Sequence, residues 1–211
     1  MSFLNTHVQN FSFSSQQSAG RDMAISRDGL NLYVIGNSPN AIHQYVLTTA
    51  WDVSTASYTG NTIAIGGWGI AFNPSGTKMY VSNSGILREY ELSTPWDVST
   101  STANGNTLSI ADYRGVSINK AGTLLHVTGY GSDSIHEYAL STPYDISTGT
   151  FLSSISILTN VQEAQGLYIQ DDMKRIYVCD AQQDKVFTFI NPTPKVYVLK
   201  YDRGGFNWVL E

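Results

Sequence analysis

The chain has 211 residues, of which 42% are hydrophobic and 14% charged, with a formal net charge of −5. That charged share is well below the roughly 25% of an average soluble protein, and with no Lys/Arg run and a pI near 5.2 the chain is not expected to bind nucleic acid. No apolar run is long enough to span a bilayer, and the start, MSFLNTHVQNF, lacks the basic and apolar regions of a secretory leader.

Taken in order, the chain opens with a short alternating stretch, Asn10–Phe13 (NFSF). Four similar segments follow, starting at Asp22, Gly69, Gly115 and Gly166. Each alternates apolar residues over a few positions: Met23/Ile25, Ile70/Phe72, Val116/Ile118 and Leu167/Ile169 share one face. These are read as innermost strands, A, and glycine at three of the four starts suits close backbone approach. The turns RDG, PSG, KAG and QDD then reverse the chain. Eleven residues after each start stands Tyr33, Tyr80, His126 or Tyr177, in strand B.

Strand C carries IHQY, LREY, IHEY and VFTF, beginning at Ile42, Leu87, Ile135 and Val186. In three copies it runs into one phrase: TTAWDVST, STPWDVST and STPYDIST. Asp52, Asp97 and Asp145 are placed to accept backbone N–H groups as Asx turns. Trp51, Trp96 and Tyr144 are expected to cover the ends of the units. Strand D follows at Thr62–Ile65, Thr107–Ile110 and Ser154–Ile157.

Trp51 to Trp96 is 45 residues and Trp96 to Tyr144 is 48. That period suits the blade of a propeller, a unit that buries its apolar faces only by stacking on neighbours. Asn10–Phe13 ends nine residues before Asp22, as Ile157 does before Gly166. It is therefore expected to pair with Val186–Phe189 as the fourth unit's outer strand, closing the ring and removing an exposed edge. The expected architecture is an all-β propeller of four four-stranded blades over residues 1–194. It is either a closed four-bladed ring or an arc completed by another chain. Residues 195–211 form a C-terminal hairpin arm turning at Arg203–Gly205. Its Tyr197, Leu199, Tyr201, Phe206, Trp208 and Leu210 make it a docking arm. That arm meets a neighbouring subunit or another virion protein, or folds back onto its own blades.

The repeats resemble the blades of bacterial surface and lactonase-like propellers. The wording LSTPWDVST after a Tyr-ended strand resembles repeats of marine bacteriophage virion proteins. That resemblance covers about Asn10–Pro194. It implies a non-enzymatic virion component for decoration, tail or fibre structure, or host-surface attachment. Its implied partners are other virion proteins, copies of itself, or a host-surface glycan. The implied location is the particle, after synthesis in a host cytoplasm. The alternatives are a metal-dependent lactonase-like hydrolase and an intracellular protein-binding scaffold.

No catalytic, cofactor-binding or metal-binding residue is assigned. No calcium loop, G-x-S-x-G elbow or H-E-x-x-H helix occurs. The residues before the four strand-A starts, Arg21, Trp68, Arg114 and Gln165, should surround the channel mouth. Two guanidiniums beside an indole could hold a carboxylate or an acidic sugar; the plainer reading pairs Arg21 with Asp22 or Asp112. Tyr113, Tyr130 and Trp68 are candidates for stacking on sugars. His43 and His136 read as exposed strand residues. Asp112, Asp133, Glu163, Asp180 and Asp184 read as solvated loop carboxylates. Cys179, the sole cysteine, reads as buried and chemically idle.

Overall fold

The structure is a computed structural model that describes residues 9–110, 114–129, 131–157, 159–170, 174–180, 185–190, 197–202 and 205–210. It is a four-bladed, all-antiparallel β-propeller. The first blade runs β1 (Gly20–Ile25), β2 (Asn31–Asn37), β3 (Asn40–Leu47) and β4 (Ala56–Ile63). The second runs β5 (Gly69–Phe72), β6 (Lys78–Asn83), β7 (Ile86–Leu92) and β8 (Ser101–Ser109). The third runs β9 (Val116–Ile118), β10 (Leu124–Thr128), β11 (Ser134–Leu140) and β12 (Gly149–Ser156). In the fourth, the described residues form three strands, β13 (Ala164–Ile169), β14 (Arg175–Asp180) and β15 (Lys185–Ile190). The expected C-terminal hairpin is present as β16 (Tyr197–Asp202) paired with β17 (Gly205–Leu210).

Period-two alternation gives each blade two apolar faces, and neighbouring blades bury them against each other. Tyr33, Ile35 and Ile42 of the first blade meet Ile70, Met79 and Val81 of the second. Tyr80 and Leu87 of the second meet Leu125 and Val127 of the third. Ile135 and Ile157 meet Leu167, Ile169 and Val178 of the fourth. Each such side chain contributes about 1.5–3 kcal/mol by leaving water.

The repeated phrase after strand C folds identically three times. Asp52, Asp97 and Asp145 each accept the N–H two residues on at 3.0 Å, capping a short 3-10 turn. Trp51, Trp96 and Tyr144 hold positive φ of 66°, 67° and 62°. Each ring lies flat on the glycine of its own A–B turn, Gly29, Gly76 or Gly122, where a Cβ would come within 2.2–2.6 Å of it. Those glycines also have positive φ, so both conformation and contact demand them. The outer strands start directly after the turn, at Ala56, Ser101 and Gly149. They are therefore longer than the four residues read from the sequence.

Asn10–Phe13 is not the expected closing strand: it forms no ladder with β15 among the described residues. Its aromatics instead cover the first blade, where Phe11 and Phe13 pack on Leu32, Val34, Tyr45 and Leu47. Phe11 meets Tyr45 edge-on at 4.8 Å. Gln17, 1% exposed, ties this segment to the Ser38–Pro39 loop, donating to the Pro39 carbonyl and accepting from the N–H of Ser38. Burying two phenylalanines on an existing apolar face outweighs a few ladder hydrogen bonds, each worth about 1 kcal/mol net.

Candidate functional site

The inner strands bring their starts together around the axis. The hydroxyl of Ser82 donates to the Arg114 carbonyl at 2.7 Å, and that of Thr128 to the Gln165 carbonyl at 2.9 Å. The Gly115 N–H donates to the Gln165 carbonyl at 2.6 Å. A Cβ on Gly69 would fall 2.1 Å from the Arg114 carbonyl, and one on Gly115 would fall 2.3 Å from the Leu167 nitrogen. Glycine at positions 69 and 115 is thus a packing requirement of the axis.

On this frame three of the four expected channel residues form one stack. Two guanidiniums lie over the Trp68 indole, with Arg114 Cζ 3.6 Å and Arg21 Cζ 4.3 Å from a ring centroid. Arg114 is buried and Arg21 exposed. Each cation gains about 0.5–2 kcal/mol from the ring face. Gln165 joins through its backbone, while its amide donates to Glu163 Oε1 at 3.0 Å.

Asp22 completes the centre and was not singled out as a site from sequence. Its equivalents are glycines, so its carboxyl occupies the space that they leave. Oδ2 accepts from the Ile70 N–H at 3.1 Å, and Oδ1 lies 3.6 Å from where a Gly166 Cβ would be. Burial pushes its pKa up to about 7, against the lowering pull of the Ile70 and Met23 N–H groups. The sequence hint was a single acid in a column of glycines.

Several other expectations are corrected. His43 and His136 are buried, 6% and 7% exposed, because a long outer strand crosses each of them. His43 Nδ1 lies 3.0 Å from Thr62 Oγ1, and burial lowers its pKa. His136 Nε2 lies 3.3 Å from Ser132 Oγ. Asp133 and Asp180 are also buried rather than solvated. They accept the N–H groups of Ala164 and Gln162, which fixes the loop into the fourth blade. Cys179 is exposed, because alternation turns Val178 into the blade 3–4 core and Cys179 the other way. Asp112, Tyr113, Tyr130 and Asp184 lie outside the described residues, and only the backbone of the hairpin is described. Among the described residues, no three His, Cys, Asp or Glu side chains converge. None of the described helices is long and apolar enough to cross a membrane.

A large concavity adjoins these residues, with Arg21, Asp22 and Gln165 in its lining. This groove, of about 870 Å³, is lined by the inner strands of all four blades and extends outward between the first and fourth blades. Phe11, Phe13 and Met23 line one wall, and Tyr168, Tyr177 and Val186 the other.

No protein-family model matches this chain, and no curated protein matches it in sequence. Solved structures do match. A functionally unknown protein from Desulfotomaculum acetoxidans is 16% identical, with a TM-score of 0.54 over 92% of this chain and 56% of that one. A candidate 6-phosphogluconolactonase from Bacteroides fragilis is 13% identical, with a TM-score of 0.55 over 90% of this chain and 53% of that one. A second such candidate, from Bacteroides uniformis, is 13% identical, with a TM-score of 0.55 over 96% and 57%. The chain spans just over half the length of these structures. At such identities the likeness is one of fold, and the fold is the β-propeller.

Proposed function

We propose that this chain is a non-enzymatic structural module of a phage particle, serving decoration, tail or fibre structure, or host-surface attachment. The observation that carries the non-enzymatic part is the lining of the axial groove. At the channel mouth, Arg21 and Arg114 stack on Trp68, and Gly69 and Gly115 pack closely on neighbouring backbone. The room beside them is walled mainly by apolar side chains of the inner strands and of the first and fourth blades, which suits protein contact. The phage part draws on the LSTPWDVST wording after strand C. The experiment is to purify native particles and identify their proteins by mass spectrometry. Recovery of this chain at a fixed copy number supports the reading. Its absence from particles, with recovery from the soluble fraction bound to another protein, supports an intracellular scaffold.

A second reading, a lactonase-like hydrolase, is favoured by one feature: an Asp22 carboxyl with a pKa of about 7 in the lining of the axial groove. Such a group can take or give a proton near neutrality. The metal of lactonase-like propellers does not fit the residues present. Asp22 is the sole carboxylate among the strand-A starts, and the Gln165 amide is engaged by Glu163. Lactone hydrolysis that survives purification and is lost in Asp22→Asn would support this reading. A rate equal to the buffer blank sinks it.

A further inference from the structure

Two of the seams between blades are built from the same three hydrogen bonds. A strand-B tyrosine donates to the carbonyl of the aromatic residue in the next blade's connection: Tyr33 to Trp96 at 2.6 Å, Tyr80 to Tyr144 at 2.9 Å. A strand-C side chain accepts an N–H from that connection: Gln44 from Val98 at 3.2 Å, Glu89 from Ile146 at 3.1 Å. A strand-D asparagine donates to the connection's aspartate: Asn61 to Asp97 at 2.9 Å, Asn106 to Asp145 at 3.1 Å.

The tyrosine and the aromatic connection of another such seam stand at the ends of the series, and no described hydrogen bond joins them. Tyr177 is the fourth blade's counterpart of Tyr33 and Tyr80, and it lines the groove opposite Trp51. The Trp51 carbonyl accepts instead from Gln9 Nε2 at 3.2 Å. The apolar positions agree. Val186 is 66% exposed, whereas its equivalents Ile42, Leu87 and Ile135 are at most 3% exposed. Met23 is 56% exposed, whereas Ile70, Val116 and Leu167 are at most 9% exposed. Tyr168, beside Tyr177, is 60% exposed.

The surface that fits the fourth blade's open face is the leading face of a blade of this same series. The chain itself carries that surface on its first blade. The matched solved structures continue for nearly as much chain again beyond the four-blade match. We propose that this seam is completed between two copies: the fourth blade of one packs on the first blade of the other, and reciprocally. Tyr177 replaces Gln9 at the Trp51 carbonyl, Val186 and Tyr168 are covered, and β1 and β13 separate at the axis. Among the described residues that seam has neither the three hydrogen bonds described above nor a buried apolar cluster shared by its two blades, as the third and fourth blades have, so it is the one that opens. The inference goes beyond the particle reading and stands apart from it, because solution mass tests one and particle composition the other.

The test is light-scattering mass of the full chain across a concentration series. The expected result is a rise from the 23.2 kDa of one chain to twice that mass. Val186→Asp and Met23→Asp should each return the mass to a single chain. A one-to-one mixture of the two variants should regain dimer, since the mixed pair keeps one intact seam. Cys179 lines the groove and reports on the unmodified protein. Its maleimide labelling should slow at least tenfold from dilute to concentrated solution, and this readout decides alone if a variant fails to fold. A single-chain mass at every concentration overturns the proposal. So does a doubled mass indifferent to both substitutions, or a labelling rate indifferent to concentration.

Discussion

Trp51 and Trp96 stand at the same place in nearly the same fourteen residues, and their local structures coincide. Both have positive φ, both lie on the glycine of their own turn, and both donate their N–H to that glycine's carbonyl at 2.9–3.0 Å. They differ in what comes from outside the blade. Trp96 packs against Phe72 and the core between the first two blades, and its carbonyl receives Tyr33. Trp51 has no preceding blade packed over it and is 56% exposed. The local chain builds a socket, and the neighbouring blade decides whether it is filled.

The largest test of that contrast is truncation of each indole, measured by urea denaturation at concentrations where the chain is monomeric. Trp96→Ala should destabilise by about 3 kcal/mol or more, in the range for large aromatic truncations. Trp51→Ala should cost about 1 kcal/mol or less, as exposed substitutions do. Equal losses would mean that the two sites are not different in the way described.

The turn glycines sharpen the local half of the comparison. Gly76 and Gly60 both have positive φ, 69° and 89°. A Cβ at Gly76 would meet the Trp96 ring at 2.2 Å, whereas nothing lies within 4 Å of one at Gly60. Gly60→Ala should cost about 1–2 kcal/mol for the left-handed backbone alone. Gly76→Ala should add about 1–3 kcal/mol of overpacking. If the two variants denature at the same urea concentration, the ring contact contributes nothing.

Next come the seam tyrosines. Tyr33→Phe and Tyr80→Phe each remove a hydroxyl from a buried carbonyl and should cost about 1 kcal/mol. Tyr177→Phe should leave monomer stability unchanged within about 0.5 kcal/mol. A Tyr177→Phe loss matching the others, in dilute monomer, would show that the fourth blade already bonds its neighbour within one chain.

The remaining test is in pH dependence. The Asp22 carboxyl titrates at about 7 in the folded chain, raised by burial from an unfolded value of 3.8. Between those values the folded state holds a proton that the unfolded state has lost. The favourable contribution is therefore full below about pH 4 and is lost as pH rises through 7. Asp28 works oppositely: bonds from Ser26 and Leu30 lower its pKa, so its contribution is present above the unfolded value and lost in acid. Stability of Asp22→Asn relative to the parent should therefore rise between pH 4 and pH 7.5. A flat difference across that range would mean that Asp22 ionises as it does in the unfolded chain.

Blades, strand order and the Asx-capped connections were legible in the sequence because they depend on residues near in sequence. Alternation sets the faces, and Asp-x-Ser sets the turn. The column Arg21, Trp68, Arg114 and Gln165 was legible as a ring of positions from the repeat offset. That two guanidiniums would stack on one indole was not, because side-chain direction at a crowded axis depends on three blades together. His43, His136, Asp133 and Asp180 were misjudged for a related reason. Their own segments look like exposed strands and loops, and the groups that bury them lie on other strands or loops.

The repeated phrase by itself determined that each unit forms a sheet with an aromatic seat over a turn glycine, since every needed contact lies within one repeat. Tertiary structure alone decided which seats are occupied. Asn10–Phe13 shows why. As a strand its alternating residues suit an edge, but its two phenylalanines find an uncovered apolar face on the first blade. Area removed from water there outweighs the ladder that the same residues could have formed on the fourth.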